Sequence, residues 1–281
     1  MLLTRVLTAL AILPVVLAML FFASPPWWAL FMLAIALVAC WEWSRMCGFT
    51  RGGQAAYLAA SGAVGAFLWL LYLRVVPGNF AAAALTAFII AAAFWLVGAP
   101  YWLANRLRPS ASMCAVAGWI VAWPAWLAFV VLRDTSPWLL LALAALVWAA
   151  DIAAYFAGKR FGRHKLAPAL SPGKTWEGVA GALLGVAVYG VVLCEVAHHW
   201  ETPITGLFEP AWGVPAILAM LLLVAVSVVG DLFESWMKRG AGLKDSSSLL
   251  PGHGGVLDRI DALTSTLPVA AFALSLHAGG L

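Results

Sequence analysis

Apolar side chains run through this sequence in long continuous stretches, broken by short polar interruptions and free of the strict alternation that marks a half-buried strand. Nine stretches approach the length of about twenty residues that a helix needs to cross roughly 30 Å of hydrocarbon. They lie at 3–23, 27–45, 55–74, 80–99, 114–132, 137–157, 177–199, 212–236 and 262–279. A helix satisfies its own backbone where no water is available, so the expected fold class is an all-α polytopic membrane protein. The polar interruptions are unequal. Most are brief turns such as Pro77-Gly78, whereas 158–176 and 237–261 are long, rich in Lys and Arg, and contain both Gly and Pro. They suggest a division into a scaffold of helices over 1–136 and a catalytic region over 137–281 that carries both loops.

Charge orients this arrangement. With nine crossings and the N-terminus inside, all of the 16 Lys and Arg residues except Arg74 and Arg133 fall on the cytoplasmic side. The C-terminus is then outside, and both long loops face the cytoplasm. Composition agrees: 64% of residues are hydrophobic, only 10% are charged, and the mean hydropathy is +0.97. The formal charge of +4 belongs to topology and does not point to nucleic acid. The stretch after Arg5 reads as a retained helix that leads through Ser24-Pro25-Pro26 into the next one. Cys40, Cys47, Cys114 and Cys194 lack CxxC spacing and read as small core residues. Gly181 and Gly185 form a GxxxG packing face.

The 12 acidic residues are the more informative set. Asp151, Asp231 and Glu234 lie inside apolar stretches, with Asp151 and Asp231 on the order of 10 Å below the cytoplasmic surface. A carboxylate at the centre of a span costs about 2.5–3.5 kcal/mol, so each needs a partner or a purpose. Asp258 and Asp261, spaced i, i+3, share a face at the start of the last stretch. Taken singly, either could be a helix N-terminal acid favoured by the dipole, and Asp151 a buried acid satisfied by Lys or Arg. Glu42, Glu195, Glu201 and Glu209 read as interfacial acids at span ends or in the outer loop.

Carboxylates meeting from two helices suit Mg²⁺, which takes oxygen ligands and completes its shell with substrate phosphates. Lys238, Arg239, Lys244 and Arg259 supply charge for phosphoryl oxygens, and Gly252-His253-Gly254-Gly255 lets backbone N–H groups approach an anion. In the other loop, Lys174 and Thr175 precede a helix start, where an anion is favoured. This is not a P-loop, because Pro168 stands where the first Gly would be. An alternative for this loop is an anchor on anionic lipid, with His164 exposed at the interface. The combination points to phosphoryl or nucleotidyl transfer.

Two blocks carry a family resemblance. Ser235-Trp236-Met237-Lys238-Arg239, then Lys244-Asp245, then Leu250-Pro251-Gly252-His253-Gly254-Gly255-Val256-Leu257-Asp258-Arg259-Ile260-Asp261 resembles the signature of the phosphatidate cytidylyltransferases. Upstream, Asp151, Ala154-Tyr155, Gly158, Phe161-Gly162, His164-Lys165-Leu166 and Ser171-Pro172-Gly173-Lys174-Thr175-Trp176-Glu177-Gly178 resemble a second block of that family. The first 130 residues resemble it only in being apolar helices. The resemblance implies conversion of CTP and phosphatidic acid to CDP-diacylglycerol and pyrophosphate, in a homodimer at the bacterial inner membrane with its active site facing the cytoplasm. It implies Mg²⁺, which the family can pair with K⁺, held by Asp231 and Asp258 with Asp261 beside them, and Lys238 and Arg259 acting in catalysis. Asp151, Lys165, Ser171, Lys174, Thr175, Ser235, Arg239, Lys244, Asp245, His253, Gly254 and Gly255 would then bind substrate. Two other readings fit parts of the pattern: a CTP-dependent polyprenol or phytol kinase, and an ion-coupled transporter using Asp151 and Asp231.

Overall fold

The computed structural model describes residues 2–199 and 213–277. In chain order the helices are α1 (Leu2–Phe22), α2 (Pro25–Ser44), α3 (Arg51–Tyr72), α4 (Phe80–Ala93), α5 (Ala99–Ala104), α6 (Ala111–Thr135), α7 (Pro137–Phe161), α8 (Trp176–His199), α9 (Gly213–Gly240) and α10 (Leu257–His277). Helix starts follow local chemistry: the side chains of Thr50, Asn79 and Ser110 accept from Gly53, Ala82 and Met113 N–H groups, and Pro25 and Pro137 open α2 and α7. Between α4 and α5 the helix widens to a π-helical turn over Phe94–Gly98, one residue short of Pro100, which has no N–H to continue the ladder.

Among the described residues, seven helical segments are long and apolar enough to cross a membrane: Pro25–Ser44, Arg51–Tyr72, Phe80–Ala104, Ala111–Thr135, Pro137–Phe161, Trp176–Ala197 and Val214–Gly240. The chain is thus a polytopic α-helical membrane protein. The two remaining expected stretches, 3–23 and 262–279, fall on α1 and α10, which are helical but stand outside those seven. In α10 the reason is polarity, for it begins with Asp258, Arg259 and Asp261 and continues through Thr264-Ser265-Thr266. That polarity is sheltered, because α10 packs against α2, α4, α6, α7 and α9. The three hydroxyls are buried and bond back to helix carbonyls.

The sequence predicts a loop at 158–176. Instead α7 runs on to Phe161, and an antiparallel hairpin follows, β1 (Lys165–Ala167) with β2 (Ser171–Thr175), in register Lys165 to Thr175 and Ala167 to Ser171. The GxxxG expectation is met. A Cβ on Gly181 would collide with that of Ala157, and one on Gly185 would come within 2.6 Å of that of Ala153, so α7 and α8 pack closely. Cys40, Cys47 and Cys114 are buried, as core residues are, whereas Cys194 on α8 is only half-buried.

Contacts at the helix ends sort them into two groups. At one end, Arg133 donates to the carbonyls of Leu20 and Ala23, and Tyr72 donates to Asp134 at 2.7 Å. At the other end, Trp236 Nε1 donates to Leu107 O at 3.0 Å, Thr8 Oγ1 to Pro251 O at 3.0 Å and Arg45 Nη1 to Ser246 O at 2.8 Å. The second end carries both long loops.

Candidate functional site

Two close approaches fix α9 where its acids are needed. A Cβ on Gly230 would run into Ser265 of α10, so these two helices touch one residue before Asp231. On the other side Phe233, fully buried, is boxed by Trp43 of α2, Phe94 and Trp95 of the π turn, and Trp102 of α5, with ring centroids 5.2–6.2 Å away. Asp231, Glu234 and Lys238 are thereby held on a helix stretch that cannot rotate without dislodging that ring.

A cavity of about 390 Å³ opens between α7, α8, α9 and the hairpin. Asp151, Tyr155 and Lys159 line it from α7, Lys174 and Thr175 from β2, Gly178 and Val179 from α8, and Ser227 and Asp231 from α9. Lys174 Nζ reaches Asp231 Oδ2 at 2.6 Å. The hairpin that delivers this lysine is pinned to α8: Glu177 accepts from the His164 backbone N–H at 3.2 Å and contacts His164 Nδ1 at 2.7 Å. Trp176 N–H donates to His164 O, and Thr175 Oγ1 accepts from Gly178 N–H at 3.1 Å. His164, expected to be merely exposed, is exposed and also paired.

Beside the cavity, Lys238 Nζ joins Glu234 Oε2 at 3.1 Å and Asp258 Oδ1 at 2.6 Å, linking α9 to α10. The other oxygen of Asp258 accepts from Ser246 N–H at 2.8 Å, Ser246 Oγ at 2.9 Å and Gly255 N–H at 2.8 Å. Burial alone would raise the Asp258 carboxyl, but Lys238 and the Gly255 and Ser246 N–H groups override it and hold it below the ordinary carboxylate value. Asp258 precedes the apolar stretch 262–279 and is thus both a helix N-terminal acid and the organiser of its own loop. Gly254 has φ +84°, and a Cβ there would sit 2.6 Å from Asp258 Oδ2.

The glycine turn was expected to offer its N–H groups to a substrate anion. In the fold the Gly255 N–H is taken by Asp258, and those of Val256 and Leu257 by Glu42. Glu42, an interfacial acid by its place at a span end, is instead wholly buried against the signature loop. Asp261 lies near enough to Asp231 for their charges to interact, as does Asp151 across the cavity. Ser235 Oγ donates to Asp231 Oδ1 at 3.4 Å. The Nδ1 atom of His253 is buried without a hydrogen-bond partner among the described residues. Arg239 folds onto Leu243 O at 3.0 Å, and Lys165, Lys244, Asp245 and Arg259 are exposed near the same end. Ser171 is half-buried in β2, paired with Ala167. Glu195 is exposed and pairs with His199, whereas Glu201 and Glu209 lie outside the described residues.

Asp231 and Asp258 each hold an ammonium group at 2.6 Å, so each is already directed at a cation. Among the described residues no three His, Cys, Asp or Glu side chains form an ion cage by themselves. One or two carboxylates with the rest of the shell left to phosphate oxygens suit Mg²⁺, and the donor set fits that form of binding.

A sequence profile of the Cytidylyltransferase family matches residues 3–277. The chain is 40% identical to a phosphatidate cytidylyltransferase of Pseudomonas aeruginosa, across 100% of this chain and 98% of that protein. It is 35% identical to the Haemophilus influenzae protein of that name, across 97% and 98%, and 36% identical to that of Brucella suis, across 96% and 90%.

Proposed function

This chain belongs to the cytidylyltransferase family, and we propose that it joins CTP to phosphatidic acid in the cavity between α7, α8 and α9. The products are CDP-diacylglycerol and pyrophosphate. The observation that carries the site assignment is the Lys174–Asp231 pair, an ammonium and a carboxylate meeting inside a cavity that lies at the loop-bearing end of the bundle. The distribution of Lys and Arg supports placing that end in the cytoplasm, with nine crossings of the bacterial inner membrane, an inside N-terminus and an outside C-terminus. The protein would act as a homodimer.

A phosphate monoester has a second pKa of about 6, so the lipid phosphate is largely dianionic at neutral pH and needs no strong general base. One of its oxygens attacks the α-phosphorus of CTP in line. The bond from that phosphorus to the bridging oxygen breaks, and pyrophosphate leaves with the electron pair. The protein's work is to bring two anions together and to stabilise charge moving onto the leaving group. Lys174 turns its ammonium from Asp231 to phosphate oxygens, while Lys159, Arg239, Lys244 and Arg259 attract the nucleotide to the mouth. Asp231 and Asp258, with Asp261 adjacent, would hold Mg²⁺, alone or with K⁺. Bound there with the triphosphate, the metal would neutralise phosphoryl charge. Tyr155, Val179 and the exposed apolar residues Ile152 and Phe156 on α7 leave room for acyl chains to remain in the leaflet.

Labelled CTP tests the reaction. Full-length protein in phospholipid nanodiscs, given phosphatidic acid and Mg²⁺, should carry α-phosphorus label into lipid, and a chelator should abolish this. Transfer of γ-label alone would establish a kinase instead.

A further inference from the structure

The first 136 residues send one acidic side chain into the loop-bearing end of the bundle, and no step above uses it. Glu42, near the end of α2, is 0% exposed. A buried acid in an apolar helix needs partners, and among the described residues the hydrogen-bond partners of the Glu42 carboxylate come from the distant stretch Ser246–Leu257. Oε1 accepts from Ser247 Oγ at 2.6 Å and Val256 N–H at 2.9 Å. Oε2 accepts from Leu257 N–H at 2.6 Å and lies 3.0 Å from Ser246 Oγ. Val256 and Leu257 stand at the start of α10, where backbone N–H groups have no carbonyl in their own helix to bond. Glu42 completes that helix end from another helix, and its charge sits where the dipole favours it.

Two further contacts make this an adapted fit. A Cβ on Gly255 would run into Ser246 Oγ and Glu42 Oε1, so the turn admits only glycine while the carboxylate is there. One turn along α2, Arg45 Nη1 donates to Ser246 O at 2.8 Å. Ser246 is the joint, because its hydroxyl lies 3.0 Å from Glu42 Oε2 and 2.9 Å from Asp258 Oδ2 and has one hydrogen to give. The same residue's backbone N–H holds Asp258. Any movement of Ser246 on Glu42 therefore displaces Asp258.

We propose that Glu42 is a positioning residue for cytidylyl transfer, clamping Ser246–Leu257 so that Asp258 is presented to the site. It acts through Ser246 and touches neither substrate. The role in catalysis rests on the reaction assigned above; the clamp itself does not. A glutamine at position 42 keeps the shape but turns an N–H₂ group toward two of the donors. In full-length Glu42→Gln in nanodiscs, amide hydrogen exchange at Val256 and Leu257 should rise about 10-fold or more, and kcat should fall about 10- to 100-fold. The KM for phosphatidic acid should stay within about two-fold, since no lipid contact is altered.

Arg45→Ala guards against a variant that fails to insert, because Arg45 is exposed and its loss leaves the core intact. Exchange at Ser246 and Ser247 should rise, with a kcat loss of about three- to ten-fold. Unchanged exchange in the loop of either folded variant would overturn the clamp. A loosened loop with kcat within two-fold of wild type would overturn the positioning role. Loosening in Glu42→Gln supports the clamp whatever labelled CTP reveals about the wild-type reaction, so failure of the reaction assignment would be seen separately.

Discussion

The two long loops look alike in sequence, both basic and both containing Gly and Pro, yet they handle charge in opposite ways. The hairpin over 162–175 carries a cation outward: Lys174 crosses to Asp231 on α9, and that carboxylate is about one-third exposed to the cavity. The stretch 241–256 draws acids inward, surrounding Asp258 and Glu42 with its own N–H and hydroxyl groups. One loop lends charge to an open site, and the other is built around charge it has enclosed. The same residue types thus face an open cavity at one place and fix a carboxylate in position at the other.

The largest effects should come from the two aspartates that mark this contrast. Asp231→Asn is expected to lower kcat by about 10²–10³-fold or more, as loss of a key electrostatic group does, while the thermal midpoint hardly moves because both partners of its ion pair are partly exposed. Asp258→Asn should lose activity to a similar degree and also lose stability, by about 1.5–3 kcal/mol, because it breaks a buried charged hydrogen-bond set. Activity and thermal melting measured side by side decide the matter. Equal destabilisation by the two variants would erase the distinction between an open and an enclosed acid.

Lys174→Met comes next. The methylene stem survives and only the ammonium is lost, so the hairpin should keep its register while kcat/KM for CTP falls by roughly 10- to 100-fold. Steady-state kinetics over CTP at fixed phosphatidic acid would measure this, and an unchanged value would return the hairpin to lipid anchoring. Lys174→Arg should recover part of the loss, since a charged donor remains.

How much of this was legible in the sequence follows from range. The acids near one end, the basic loops and the Gly181–Gly185 face are local patterns, and the helices α2 to α9 follow from apolar length. Glu42 was not legible, because an acid at the end of an apolar helix looks the same whether it faces lipid headgroups or a loop about two hundred residues away. The acids of α9 and α10 announce that these helices meet, but not what brings them together, which depends on Gly230 lying against Ser265 and on the aromatic box around Phe233, contacts between segments with no sequence relation. The hairpin was hidden by Pro168, Pro172 and Gly173, which read as loop residues and interrupt any period of two.

The smallest expected effect separates delivery of Lys174 from its chemistry. Glu177 sits at the start of α8, and its carboxylate bonds to the backbone and ring of His164, at the base of the hairpin. Glutamine there keeps one acceptor for the His164 N–H and loses the charge. Exposed pairs of this kind are worth little, so Glu177→Gln should raise the KM for CTP by about two- to five-fold and leave kcat unchanged. If kcat fell with KM unchanged, Glu177 would be acting on the transition state and the hairpin could not be a simple carrier. If Glu177→Gln matched Lys174→Met in size, the hairpin's hold on Lys174 would depend on this one contact, and the register Lys165 to Thr175 would contribute nothing to placing it.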